Sequence, residues 1–145
     1  MNNNIFKVLS LLTKNPRKWY DMQTIAFNTN LTNRQALSTI AMMKVPYIVK
    51  SRDDDNKVII MFDGDDNAVK ETQRTMIIEH YHISDEYIDK VYNTLSSAGW
   101  MSIPDLLEET GLSKNTLSRT LMVTDGIISV KDDTSVFYRR ISNYE

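Results

Sequence analysis

The stretch Ser102-Ile103-Pro104-Asp105-Leu106-Leu107-Glu108-Glu109-Thr110-Gly111-Leu112-Ser113-Lys114-Asn115-Thr116-Leu117-Ser118-Arg119-Thr120-Leu121 reads as a short helix, a glycine turn and a second, capped helix. Gly111 supplies the residue that tolerates positive φ and closes the first helix. Ser113 offers a side-chain oxygen to the open N–H groups of the next. In that second helix Leu117 and Leu121 share a face at i, i+4, which leaves Lys114, Asn115, Ser118 and Arg119 on another. The pattern predicts two helices joined tightly, the second presenting a polar face to a partner.

Working downstream, Asp125-Gly126 stops the helix, Ile127-Ile128-Ser129-Val130 reads as a strand, and Val136-Phe137-Tyr138 as a returning strand. The polar run Lys131-Asp132-Asp133-Thr134-Ser135 is short enough for the hairpin tip between them. Two such helices followed by a β-hairpin resemble the winged helix-turn-helix family, and residues 112–128 look like bacterial regulators of the multiple-antibiotic-resistance repressor type. The resemblance covers about sixty residues per unit, the size of one small domain. It implies that the second helix enters the major groove of DNA.

Working upstream, a second copy is legible. Trp19 aligns with Trp100, Met22 with Ile103, Ile25 with Leu106 and Leu31 with Leu112, all at an offset of 81. Ile5, Val8 and Leu12 match Ile88, Val91 and Leu95 at 83, which places two extra residues near Asn15-Pro16. Leu37, Ala41, Tyr47 and Ile48 match Leu117, Leu121, Ile127 and Ile128 at 80. Each change of offset falls in an expected turn, where insertion leaves a helix's apolar stripe unrotated.

The expected fold is mainly α with small β-hairpins: two winged helix-turn-helix units, residues 1–65 and 84–145, joined by a connector helix in residues 66–83. Helices are expected over 4–14, 21–28 and 33–43, then 85–97, 103–110 and 114–124; strands over 47–51, 57–62, 127–131 and 135–141. The connector carries Val69, Met76, Ile77 and His80 or Tyr81 at helical spacing, and Asp63, Gly64, Asp65 and Asp66 mark its start. A helical connector fixes spacing where a Gly/Ser linker does not. Units this small bury only roughly 60% of their chain surface, so packing between copies or on the connector is expected to add stability.

With 145 residues, 41% apolar and 25% charged, the composition is that of an ordinary globular chain. There is no long apolar run, and Lys7 and Ser10 interrupt the apolar residues of 5–12, so neither a membrane span nor a cleavable signal is expected and the chain is placed in the cytoplasm. The absence of cysteine excludes disulfides, thiol catalysis and cysteine-ligated metals.

Charge is unevenly distributed. Residues 1–52 carry Lys7, Lys14, Arg17, Lys18, Arg34, Lys44, Lys50 and Arg52 against Asp21 alone, a surplus of seven, whereas residues 84–145 carry six basic against ten acidic side chains. Because phosphate neutralisation supplies much of the affinity for nucleic acid, the first copy is the better electrostatic candidate. Both hairpin tips are acidic, Asp53-Asp54-Asp55 and Asp132-Asp133, where the family's wings are usually basic; minor-groove contact by these wings is therefore not expected.

With duplex DNA as partner, the start of each second helix meets base edges. In the second copy Lys114, Asn115 and Ser118 are expected to read bases, with Arg119 and the Ser113 hydroxyl on phosphates. In the first copy the matching positions are Asn33, Arg34, Gln35, Ser38 and Thr39, with Arg52 and Lys57 beside the tip touching the backbone. Arg34, Gln35 and Asn115 have side chains suited to bidentate pairing with guanine or adenine. Trp19 and Trp100 are expected to plug the two cores, and the methionines, including Met22, Met42 and Met43, to fill core gaps. His80 and His82 with Glu79 do not form a metal site, since residues two apart do not face each other on a helix. No nucleophile motif or glycine-rich phosphate loop occurs, so neither catalysis nor a cofactor is expected.

Two functions remain open. One is a DNA-binding regulator of transcription or replication, its paired units imitating the two-fold pair that other regulators build by dimerisation. The other is an adaptor or inhibitor that binds a protein partner through the acidic second unit or the connector. Either would act as a monomer or homodimer without a membrane, and fold alone does not choose between them.

Overall fold

The computed structural model describes residues 1–142. The chain divides into two compact units, Met1–His80 and Tyr81–Glu145. Among the described residues it is mainly α with small β-hairpins: seven helices and two three-stranded antiparallel sheets.

In the first unit, helix α1 (Asn3–Lys14) starts where the Asn2 side chain accepts from the N–H groups of Asn4 and Ile5. It buries Val8, Leu9 and Leu12 along one stripe and ends at Asn15, where the following Pro16 disfavours helical backbone. Strand β1 (Tyr20–Asp21) leads directly into α2 (Met22–Thr29), and the Asp21 carboxylate caps that helix by accepting from Thr24 N–H at 2.7 Å. Asn30, at φ 58°, closes it. Helix α3 (Asn33–Met42) opens on a reciprocal capping box: Thr32 accepts from Gln35 N–H, and Gln35 Oε1 accepts from Thr32 N–H. Strands β2 (Ile48–Arg52) and β3 (Val58–Phe62) form a hairpin, and β3 is central in the order β1-β3-β2. Its alternate residues Ile60 and Phe62 point into the core and are fully buried. Helix α4 (Asp66–Tyr81), the expected connector, contributes Ala68 and Met76 to this same core.

The second unit repeats the order. Helix α5 (Asp85–Thr94), capped by Ser84, is followed by β4 (Met101–Ser102), α6 (Ile103–Thr110), α7 (Lys114–Val123), β5 (Ile127–Asp132) and β6 (Ser135–Arg140). The sheet order β4-β6-β5 is again that of a hairpin whose second strand is central. Ser102 and Asp105 form a capping box on α6, Gly111 closes it at φ 69°, and Ser113 caps α7. Pairing of Asp132 with Ser135 leaves a two-residue tip in which Asp133 takes φ 53°. The core is Val91, Leu95, Leu106, Leu117 and Leu121.

Equivalent positions place the repeat more finely than residue type does. The offset of 81 runs unbroken through Asp21/Ser102, Thr29/Thr110, Asn30/Gly111, Thr32/Ser113 and Met43/Thr124, pairing cap with cap and, at Thr29 and Thr110, two buried hydroxyls that each donate to the carbonyl four residues back. This corrects the expected offset of 80 in the second helix. Ala36 (0% exposed) and Ile40 (4%) face the core as Leu117 (0%) and Leu121 (7%) do, whereas Leu37 is 47% exposed and Ala41 is exposed too. In the hairpin, Lys50 and Ser129 hold equivalent places opposite Ile60 and Tyr138, so the offset there is 79 and Ile48, rather than Tyr47, corresponds to Ile127.

The tryptophans are a second correction. Trp19 and Trp100 are 42% and 45% exposed rather than core plugs. Each stands one residue before a short strand, and period-two alternation turns the next residue inward: Tyr20 is buried, and Met101 packs against the second core. Of the methionines named above, Met43 is buried and Met22 packs on the core, but Met42 lies outside it.

Candidate nucleic-acid interface

The capping box sets the start of α3, so the first exposed side chains after it are Asn33 and Arg34, followed a turn later by Ser38. These three project into solvent from within residues 1–52, the segment that carries the basic surplus. Gln35 is also exposed, but its Oε1 is engaged with Thr32 N–H at 2.9 Å, so it cannot present both amide atoms to an adenine while the box is closed. Thr39 falls away from the candidate site altogether. It is buried, and its hydroxyl donates to the Gln35 carbonyl at 2.7 Å, as expected of a threonine turned toward the preceding turn of its helix.

Several basic side chains of this unit are engaged internally. Arg17 donates through Nη1 to the Gly64 carbonyl at 2.6 Å, Lys18 stands 5.0 Å from the Tyr20 ring, and Lys50 Nζ donates to the Ile40 carbonyl near the negative end of α3. Arg52 Nη1 donates to the Asn56 carbonyl at 2.9 Å, and Lys57 is exposed beside it. The acidic tip has a structural use. Asp53 Oδ1 accepts from the N–H groups of Asp55 and Lys57, which folds the loop around one carboxylate.

In the second unit Lys114, Asn115 and Ser118 are exposed on α7. Ser113 is held in place, its oxygen accepting from Thr116 N–H while its hydroxyl donates to Thr116 Oγ1 at 2.8 Å. Arg119 is only half exposed, and its guanidinium lies 3.9 Å from the centroid of the Tyr81 ring. Stacked there it keeps its charge but loses the freedom of an extended arginine. Two more arginines use aromatic faces, Arg139 over Trp100 at 4.8 Å and Arg140 over Tyr92 at 5.1 Å. The pairing of Arg119 with Tyr81 has no signature in sequence spacing. An open cleft of about 460 Å³ in this unit is lined by Asn93, Thr94, Met101, Asp105, Glu108 and Glu109, an acidic wall without a counterpart in the basic segment of the first unit.

Among the described residues, no group of three or more His, Asp or Glu side chains is arranged to hold a metal ion, and no helix is long and apolar enough to cross a membrane. No family model matches the sequence, and no curated protein matches it. A solved structure, that of the DIP2311 protein from Corynebacterium diphtheriae, is similar at 20% identity and a TM-score of 0.33, over 95% of this chain and 26% of that one; the chain thus spans about a quarter of that protein's length.

Proposed function

We propose that the protein is a DNA-binding regulator of transcription or replication, without catalytic activity, built from two winged helix-turn-helix units. The observation that carries this reading is the first exposed turn of α3, where Asn33 and Arg34 project beside Ser38 from a segment with a surplus of seven basic side chains. In this reading α3 lies in the major groove, Arg34 pairs with a guanine edge, Asn33 and Ser38 meet neighbouring bases, and Lys57 touches the backbone. Lys114, Asn115 and Ser118 on α7 form the second, weaker contact, and Arg119 approaches phosphate only alongside Tyr81.

Binding of a duplex measured at two salt concentrations tests it. Affinity should fall steeply with salt, with a log–log slope of about −0.9 per phosphate contacted. Arg34→Ala should cost about 1–3 kcal/mol of binding with the fold unchanged. Duplex binding that ignores both salt and Arg34 would sink the reading.

The acidic cleft favours a second reading. An adaptor whose second unit receives a basic segment of a protein partner would use Glu108 and Glu109 on its wall, and would bind no duplex even at low salt.

A further inference from the structure

We propose that Leu37 is a specificity-determining residue, its side chain packing on the C5-methyl group of a thymine in the major groove beside the bases met by Asn33 and Arg34. The inference rests on the duplex-binding reading above and adds to it the kind of base that α3 selects.

Three observations converge on this side chain. Leu37 is 47% exposed on an otherwise regular helix, and it is not among the side chains packed on the first core. It follows Asn33 by four residues and Arg34 by three, so the three side chains share one face, with neighbouring β-carbons about 5–6 Å apart. At the equivalent backbone position, fixed by the matching caps Thr32 and Ser113, α7 carries Ser118, so the same geometry presents a hydroxyl in one unit and an isobutyl group in the other.

An apolar group between an amide and a guanidinium suits a surface that is polar everywhere except at isolated aliphatic points. The base edges of a DNA major groove are such a surface. Their one aliphatic feature is the thymine methyl, standing among the acceptors and donors that Arg and Asn read. The basic surplus of residues 1–52 supplies the attraction to phosphate that brings the helix there. Double-stranded RNA fails on both counts, because its major groove is too narrow for side chains to read and uracil lacks the methyl.

The test uses the full chain and duplexes recovered by it from a random-sequence pool, prepared either with thymine or with deoxyuridine, which removes only the methyl. The wild type should bind the deoxyuridine duplex about fourfold more weakly per contacted thymine, the equivalent of ~0.8 kcal/mol for one buried carbon. Leu37→Ala should bind both duplexes equally. Met122→Ala, which shortens another exposed apolar side chain (69%), should keep the wild-type preference. Equal binding of the two duplexes by the wild type overturns the thymine contact and leaves duplex binding standing. A preference that persists in Leu37→Ala overturns the assignment to this residue. Failure to bind any duplex at low salt overturns the underlying reading as well.

Discussion

A methyl group added at position 64 would sit 2.7 Å from Phe62 Cε1 and 2.8 Å from Ala68 Cβ. Both neighbours are buried, and the segment cannot slide away, because Arg17 ties it from two directions: its N–H donates to the Phe62 carbonyl at 2.8 Å and its guanidinium to the Gly64 carbonyl. Gly64→Ala should therefore destabilise the first unit by about 1–3 kcal/mol through overpacking, seen as a lower urea midpoint at unchanged slope. From sequence, Gly64 reads only as the mark of a helix start, since the approach of Phe62 and Ala68 is set by tertiary packing. Asp21 makes a prediction about pH. The Thr24 backbone N–H, then the Thr24 side chain, and Lys57 to a lesser degree hold its carboxyl below the ordinary 3.8, against the opposing effect of burial. A lowered folded value means that the folded chain releases this proton more readily than the unfolded one. Its stabilising contribution is then present above pH 3.8 and lost as the pH falls through the folded value. Asp21→Asn keeps a capping oxygen that does not titrate. The advantage of wild type over this variant, measured by urea unfolding, should shrink between pH 7 and pH 3.

At the scale of the helix, the question is why α3 turns Ala36 inward and Leu37 outward. Positions 36 and 40 and positions 37 and 41 both satisfy i, i+4 spacing, and matching by residue size favours the pair containing leucine. Packing favours the other. The Thr32–Gln35 box fixes where the helix starts and hence which residues face the core, and a small side chain at 36 lets α3 lie close to its neighbours. The caps themselves were legible in the sequence, Ser113 and Gly111 in particular, because each has a local physical role that does not depend on the rest of the fold. Leu37, the most informative residue on that helix face, was hidden by the same ambiguity. The two leucines thus have opposite expected effects. Leu117→Ala should cost about 2–5 kcal/mol by leaving a cavity in the second core. Leu37→Ala should change stability by no more than about 0.5 kcal/mol, since nearly half of the residue is already exposed and its side chain is not among those packed on the core. Chemical denaturation of the two variants side by side checks the register of the repeat, and a large loss in Leu37→Ala would overturn it.

For the chain as a whole, each unit has an apolar core of its own, the first centred on Val8, Leu12, Ile25, Ile60 and Phe62, the second on Val91, Leu95, Leu106 and Leu117. The first core is the larger, so the second unit is expected to melt at the lower temperature. Leu106→Ala should lower that transition and leave the upper one in place; Ile25→Ala should do the reverse. This separation allows the charge asymmetry, which was legible from composition alone, to be tested without knowing the sequence of the target. A ligand that binds a folded unit raises its stability by RT ln(1 + [L]/Kd), about 2.7 kcal/mol at a hundredfold excess over Kd. For a unit of this size each kcal/mol moves the midpoint by roughly 4–8 °C. If duplex DNA is held by the basic segment, saturating duplex at low salt should raise the upper transition by about ten degrees or more and move the lower one far less. Added salt should erase the shift, because the contacts it reports are to phosphate. A shift confined to the lower transition would place the principal contact on α7, reverse the order of the two units, and leave the surplus of the first fifty residues without a partner.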